Sequence, residues 1–204
     1  MTKRLLHNAQ VIDPEAGTIT RADIRIENGL ITQVSQSPLS ANPNEHSVDC
    51  HNKYLAPGII DIGVKVCEPG ERHKESFKSA GLAAAAGGIT TMVTRPDTTP
   101  AIDSPETLEF IARRANQATP VNVIPMAALT KGRNGREMSE IGFLMDAGAI
   151  AFTDCDHVVS NPKVFARALS YACALGALVI AHPQEPTLSK DAVATSGKFS
   201  SLRG

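Results

Sequence analysis

The sequence predicts an α/β fold in which a small all-β module precedes about five β-α units with parallel strands. Three observations carry this. Two strand-like runs near the N-terminus are joined by Asn28-Gly29, a strand–loop–helix rhythm begins at Tyr54, and helix start and stop residues recur within that rhythm. In the first part, Asp23 to Glu27 alternates with period two and Leu30 to Val34 resumes after the Asn-Gly pair. Both positions of such a turn need positive φ, which Asn and Gly tolerate best. Residues 35–44 are rich in Ser, Pro and Asn and read as a loop. The β module is placed at residues 1–54 and the β-α part at 55–204.

Five units follow in order. Gly58 to Val66 is an apolar strand, Cys67 to Arg72 its exit loop, and Ser76 to Ala86 an Ala-rich helix stopped by Gly87-Gly88. Ile89 to Thr94 is β-branched and strand-like, and residues 95–100 form a polar loop. Ser104-Pro105-Glu106 starts a helix with a capping Ser, Pro at the first helical position and an early acid; it runs to about Asn116. Val121 to Leu129 is the third strand, followed by the loop 130–136 and a short helix from Ser139 to Ala147. Ala149 to Thr153 is the fourth strand, Asn161-Pro162 opens a helix ending at Leu175 before Gly176, and Ala177 to Ala181 is the fifth strand. Short connections of this kind imply parallel strands with right-handed crossovers. Both an open doubly wound sheet and part of a (β/α)8 barrel satisfy the pattern, although no G-x-G-x-x-G follows any strand.

Composition narrows the function classes. The 204 residues carry 20 Lys+Arg against 21 Asp+Glu, a net charge of -1, which argues against nucleic acid as a partner. No apolar run reaches the roughly 18 residues of a membrane span, and the N-terminus lacks a signal-peptide pattern. Cys50, Cys67, Cys155 and Cys173 form no CxxC or disulfide framework, which suits a reducing cytoplasm. At the C-terminal ends of the strands stand Lys65, Cys67 and Glu68, then Arg95 and Asp97, then Thr130 and Lys131, then Asp154, then His182. In a barrel this is the functional rim.

Specific motifs stand along that rim. Pro57-Gly58-Ile59-Ile60-Asp61, Glu68-Pro69-Gly70 and Lys74-Glu75 resemble the first barrel strand and loop of dihydroorotases, in the cyclic amidohydrolase superfamily. Arg95-Pro96-Asp97-Thr98-Thr99-Pro100 is similar to that family's second loop. Gly148 to Asp154 is similar to the segment that presents a metal-ligating Asp, and Ala181-His182 to a metal-binding His after strand five. Hydantoinases and allantoinases are related, but the Glu68-Pro69-Gly70 and Lys74-Glu75 pattern sits closer to dihydroorotases. The resemblance implies a TIM-like amidohydrolase barrel behind a small β-sandwich module. It also implies zinc as the cofactor, if any is bound, and hydrolysis of a cyclic amide.

The departures matter as much as the matches. The family's H-x-H pair falls on Gly63 and Lys65, leaving Asp154 and His182 as the remnant of the implied metal site. Glycine offers no ligand, and an ammonium about 4 Å from a divalent ion is repelled by roughly 8 kcal/mol at an effective dielectric of about 20. Lys65 is expected to pair with Glu68 or Asp154 in the vacated position. The Arg that grips the substrate carboxylate in the family is Cys67 here, and the family's Asn is Asp97, with Arg95 a possible source of compensating charge. No catalytic residue is assigned, and a catalytically degenerate dihydroorotase-like protein is expected. In the family such homologues pair with aspartate carbamoyltransferase, which the resemblance therefore implies as the partner in an oligomeric assembly. The alternative is an active zinc-dependent dihydroorotase interconverting N-carbamoyl-aspartate and dihydroorotate. The family continues with three more β-α units beyond this chain's Ser-, Lys- and Thr-rich end, so the chain reads as C-terminally truncated.

Overall fold

The computed structural model describes residues 3–192, 195 and 197–203. The chain divides into two compact units, Met1–Gly58 and Ile59–Gly204.

The first unit is one five-stranded sheet. Its strands are β1 (Lys3–Asp13), β2 (Thr18–Glu27), β3 (Leu30–Ser35), β4 (His46–Asp49) and β5 (Tyr54–Leu55). The order is β3-β2-β1-β4, with β5 also on β1; β2 lies antiparallel to β1 and β3, whereas β4 and β5 run parallel to β1. Asn28 and Gly29 turn β2 into β3 with φ of 53° and 82°, as the Asn-Gly pair predicts. The longest strand, β1, escapes a period-two reading because it carries a bulge. Its register on β2 shifts between Leu6 and Ala9, where Asn8 adopts φ 59°. Asn8 holds the bulge: its amide N–H donates to Asp23 Oδ1 at 2.9 Å and its side-chain amide to Asp49 Oδ1 at 3.1 Å.

The second unit alternates β6 (Ile59–Val64), α1 (Phe77–Ala86), β7 (Ile89–Thr94), α2 (Pro105–Ala118), β8 (Asn122–Pro125), α3 (Ile141–Asp146), β9 (Ala151–Phe152), α4 (Pro162–Leu175) and β10 (Leu178–Val179), with α5 (Lys198–Arg203) near the C-terminus. Strands β6, β7 and β8 pair in parallel, as do β9 and β10, and a parallel bridge from Ala127 to Phe152 joins the two groups. The five strands therefore follow chain order without reversal. A doubly wound sheet would reverse its order at a switch point, so the arrangement is a section of a (β/α) barrel. Among the described residues β6 and β10 each pair on one side only, and the barrel is open.

The last three strands are shorter than the apolar runs suggest. Pro125, which has no N–H to donate, is the last residue of β8, and Met126 N–H still donates to Thr94 O at 2.9 Å. The ladder nevertheless continues: Ala127 N–H donates to Ala151 O at 3.0 Å, Thr153 N–H to Ala127 O at 2.9 Å, and Ile180 N–H to Phe152 O at 2.9 Å. Helix ends follow their caps. Ser76 and Ser104 accept from the third amides of α1 and α2, Asn161 caps α4, and Gly176 closes α4 in the left-handed region at φ 70°.

The core lies between the strands and the helices. Leu108, Ile111 and Ala115 on α2 and Ala168 and Ala172 on α4 pack with Phe77, Met92, Leu129, Leu144 and Phe152. A polar tie crosses this layer. Glu68, 5% exposed, accepts from the Phe77 amide at the start of α1 through Oε2 (3.0 Å) and from Arg114 Nε on α2 through Oε1 (2.7 Å). Burial pushes its carboxyl upward, but the Arg114 hydrogen bond, the Phe77 amide and the charges of Arg114 and Arg72 outweigh that and hold it below its ordinary value.

Two predictions follow from this packing. A carboxyl held down by folding contributes stability that is complete above its unfolded value, near 4.5, and is lost as pH falls through the lower folded value. Glu68→Gln is expected to cost about 2 kcal/mol at pH 7 and to flatten the acid limb of stability, read by urea titrations between pH 7 and pH 3. Parallel pH curves for both proteins would refute the tie. For the core, Leu108→Ala should cost about 3 kcal/mol, whereas Leu82→Ala, at a side chain 55% exposed, should stay within about 0.5 kcal/mol. Chemical denaturation of both variants checks the difference.

Candidate functional site at the strand ends

The loops that follow β6 and β7 are pressed together. Gly70 sits at φ 106°, and a β-carbon there would lie 2.7 Å from both Thr99 Cβ and Thr99 O. Thr99 N–H also donates to Pro69 O at 3.3 Å. This contact sets the Lys65–Cys67 segment beside Asp97. Lys65 Nζ lies 3.0 Å from Asp97 Oδ2. It pairs with neither Glu68 nor Asp154, contrary to expectation, because both carboxylates already have other donors: Phe77 N–H and Arg114 on Glu68, Thr130 on Asp154. Nor is it a core cation, since its side chain is 54% exposed. The hydrogen bond and charge of Asp97 raise the Lys65 ammonium above its ordinary pKa, so it stays charged at neutral pH. Cys67 is half-buried in the same loop.

Gly63 is an extra residue in β6. Ile62 pairs with Val93 and Val64 with Thr94, so Gly63 forms a bulge, at φ 96°. A β-carbon would meet nothing within 4 Å, yet the backbone conformation is one that L side chains rarely adopt.

Arg95 gathers the rest of the cluster. Its direction, unreadable from sequence, is toward two carboxylates: Nη2 lies 2.9 Å from Asp97 Oδ2 and 2.6 Å from Asp156 Oδ1. Arg133 Nη2 lies 3.6 Å from the same Asp156 oxygen and donates to Asp154 O at 3.2 Å. Burial pushes the Arg95 guanidinium down, but Cys155, Asp97 and Asp156 outweigh it and raise its pKa. A hydrogen bond within its own residue, with the charges of Arg95 and Arg133, holds Asp156 below the ordinary carboxylate value against the opposing effect of burial. Burial and the Asp97 charge push the Cys155 thiol up, against the pull of Arg95 and Arg133. Cys155 and Asp156 were not singled out by sequence reasoning. The run Asp154-Cys155-Asp156 at a strand end is the available signal, and Cys155 adopts φ 58° there.

Asp154, 4% exposed, uses both carboxylate oxygens on Thr130: Oδ1 accepts from its N–H at 3.0 Å and Oδ2 from its Oγ1–H at 2.5 Å. Gly135 N–H in turn donates to Thr130 Oγ1 at 2.9 Å, which fixes the 130–136 loop. His182 is exposed at the end of β10 and lines two cavities. One, of about 330 Å³, also holds Asp154, Leu129 and Phe165; the other, of about 420 Å³, also holds Gly63, Arg95 and Cys155.

The donor set does not fit the zinc centre implied by the family resemblance. The histidine positions hold Gly63 and an ammonium, which leaves Asp154 and His182 in this chain, fewer than the three protein ligands that zinc takes. Among the described residues, one group of three His, Cys, Asp or Glu donors comes together: Asp97, Cys155 and Asp156, each with a donor atom within 4.8 Å of the others. All three already engage the Arg95 guanidinium, Asp97 and Asp156 as ion pairs and Cys155 as a hydrogen-bond partner.

The comparisons with known proteins agree on one group. A family model described as dihydro-orotase-like matches residues 52–204. The chain is 36% identical over 200 residues to a dihydroorotase of Carboxydothermus hydrogenoformans, covering 98% of this chain and 46% of that protein. It is 34% identical to a dihydroorotase of Trichlorobacter lovleyi, covering 98% and 47%. The chain thus spans about half the length of these curated relatives. Among solved structures, an L-hydantoinase (dihydropyrimidinase) from Arthrobacter aurescens superposes with a TM-score of 0.79 at 20% identity, over 94% of this chain and 43% of that one. A D-hydantoinase (dihydropyrimidinase) from Thermus sp. gives 0.70 at 24% identity, over 88% and 40%. At these identities the superpositions speak for a shared amidohydrolase fold. Family match, sequence relatives and fold converge: the chain belongs to the dihydroorotase-like family.

Proposed function

We propose that this chain is a catalytically degenerate dihydroorotase-like protein of pyrimidine biosynthesis, with a structural or regulatory role alongside aspartate carbamoyltransferase. One observation carries the reading: the Lys65–Asp97–Arg95–Asp156 ion network stands at the strand ends where the resemblance puts metal-binding histidines. Metal-assisted hydrolysis needs a cation with open coordination positions to lower the pKa of bound water. Ammonium and guanidinium groups offer positive charge but no such position. The substrate end is altered in the same sense. Cys67 cannot make a two-pronged hydrogen bond to a carboxylate, and Arg95 is committed to Asp97 and Asp156. The partner and an oligomeric assembly come from the family resemblance. A cytoplasmic setting is supported by four free cysteines, and among the described residues no helix is long and apolar enough to cross a membrane.

The test is a paired assay on the whole protein, with zinc supplied. Dihydroorotate hydrolysis and N-carbamoyl-aspartate cyclisation are both expected at background. Mixing with aspartate carbamoyltransferase is expected to give a larger co-eluting species in size-exclusion chromatography. Zinc-dependent turnover that rises in proportion to protein would overturn the degenerate reading, and separate elution would overturn the partner.

The geometry also predicts that histidines alone will not bring a metal back. Gly63→His must adopt φ near 96°, a strain of about 1–3 kcal/mol, and Lys65→His removes an ammonium from Asp97. The triple variant Gly63→His, Lys65→His, Cys67→Arg is therefore expected to be less stable than the parent and to hold no zinc. Elemental analysis together with thermal melting reads both effects; one or two tightly held zinc ions per chain would contradict the prediction.

A further inference from the structure

We propose that Asn28 is a site of spontaneous covalent modification: it loses its side-chain amide through a cyclic imide with Gly29 and opens to isoaspartate, which unpairs the edge strand β3. The inference concerns the β module and is independent of the catalytic reading above.

The chain contains two Asn-Gly pairs, Asn28-Gly29 and Asn134-Gly135. Asparagine is among the thermolabile side chains, and a following glycine leaves the attacking amide nitrogen unhindered. Both asparagines are exposed, so exposure does not separate them. Hydrogen bonding does. Gly135 N–H donates to Thr130 Oγ1 at 2.9 Å, and Thr130 is fully buried. The Asn134 carboxamide is held as well, since its Oδ1 accepts from Arg136 N–H at 3.0 Å. Gly135 is packed besides: a β-carbon there would lie 3.5 Å from Val158 O and Val159 Cα. Turning Gly135 N onto Asn134 Cγ must break these contacts together. At the other pair there is nothing comparable to break. Among the described residues neither the Asn28 carboxamide nor the Gly29 amide makes a hydrogen bond, and a β-carbon on Gly29 would meet nothing within 4 Å. The hairpin around it also opens at low cost, because β3 pairs with β2 alone and leaves Leu30, Ile31 and Val34 exposed.

The chemistry balances with water as the co-reactant. Gly29 N gives its proton to solvent and attacks Asn28 Cγ; the Cγ–Nδ2 bond breaks and ammonia leaves with a proton returned by solvent. Water then adds to the imide. Breaking the original bond between Asn28 C and Gly29 N leaves the backbone running through Cγ, and no oxidant or reductant takes part. The two-residue turn closes on the Glu27–Leu30 pair with positive φ at Asn28 and Gly29. An extra backbone carbon does not fit that turn, and the new carboxylate stands next to Glu27.

The experiment incubates the full folded chain in mildly alkaline buffer, with the same chain in guanidinium chloride as the unfolded reference. Peptide mapping by mass spectrometry reads amide loss at each asparagine, and enzymatic methylation of isoaspartyl carboxylates identifies the product. Folding is expected to slow the loss at Asn134 at least about tenfold more than the loss at Asn28. In converted chains the β3 amides should lose their protection from hydrogen exchange while those of β1 keep theirs. Asn28→Gly, which tolerates the positive φ, should remove the methylation and keep β3 paired; should it fail to fold, the wild-type map decides alone. Equal protection of the two asparagines, or isoaspartate arising first at position 134, would overturn the proposal. So would β3 amides that stay protected in chains converted at position 28.

Discussion

The buried carboxylate of Asp97 sets the terms for the whole rim. With its side chain 3% exposed, it must be compensated by charge brought in from the chain itself. The two groups that do so follow different strands: Lys65 follows β6, and Arg95 follows β7. Because Arg95 also reaches Asp156, beyond β9, the one carboxylate fixes the relative positions of three loops. The apparent excess of charge at this rim is therefore largely self-cancelling. A site that neutralises itself has little field left for a substrate anion or a metal dication.

The same logic recurs twice nearby. Glu68 is buried and joins the first βα loop to α1 and α2, while Asp154 is buried and joins the end of β9 to the loop after β8. Each carboxylate accepts from a backbone amide and from a side chain. That combination satisfies the buried oxygens and ties separate segments. In an arc whose last strands are two residues long, such ties order the loops more than the strand ladder can. Asp154 shows how one residue type supports two readings: as a sequence motif it suggests a metal ligand, and in the fold both its oxygens accept from Thr130.

Legibility from sequence divided along physical lines. Elements with chemical punctuation were readable: Ser104-Pro105 and Asn161-Pro162 open α2 and α4, Gly176 closes α4, and Asn28-Gly29 turns β2 into β3. Their signals depend on a few adjacent residues. The bounds of β1 are not readable because the bulge at Asn8 breaks its period, and the bulge is held by Asp23 and Asp49, which are remote in sequence. Within the site, residue types at the rim were readable but pairings were not. Lys65 was expected on Glu68 or Asp154 and lies on Asp97, because the choice depends on the close approach of Gly70 and Thr99. The direction of Arg95 and the inclusion of Cys155 and Asp156 likewise depend on side chains 61 residues apart meeting in space.

Gly63 constrains this rim through its backbone. In a regular strand a glycine could give way to a larger residue at little cost. Here the glycine sits in a bulge at φ 96°, and Val64 returns to register one residue later, opposite Thr94. The bulge changes the local path of β6 immediately before Lys65, and Lys65 then takes Asp97 as its partner. Backbone conformation and ion pairing thus reinforce each other. Regularising the strand would move the ammonium, and removing the ammonium would leave Asp97 with Arg95 alone among the cations that now compensate it. Two such coupled features are expected to respond non-additively to substitution, because each depends on the other.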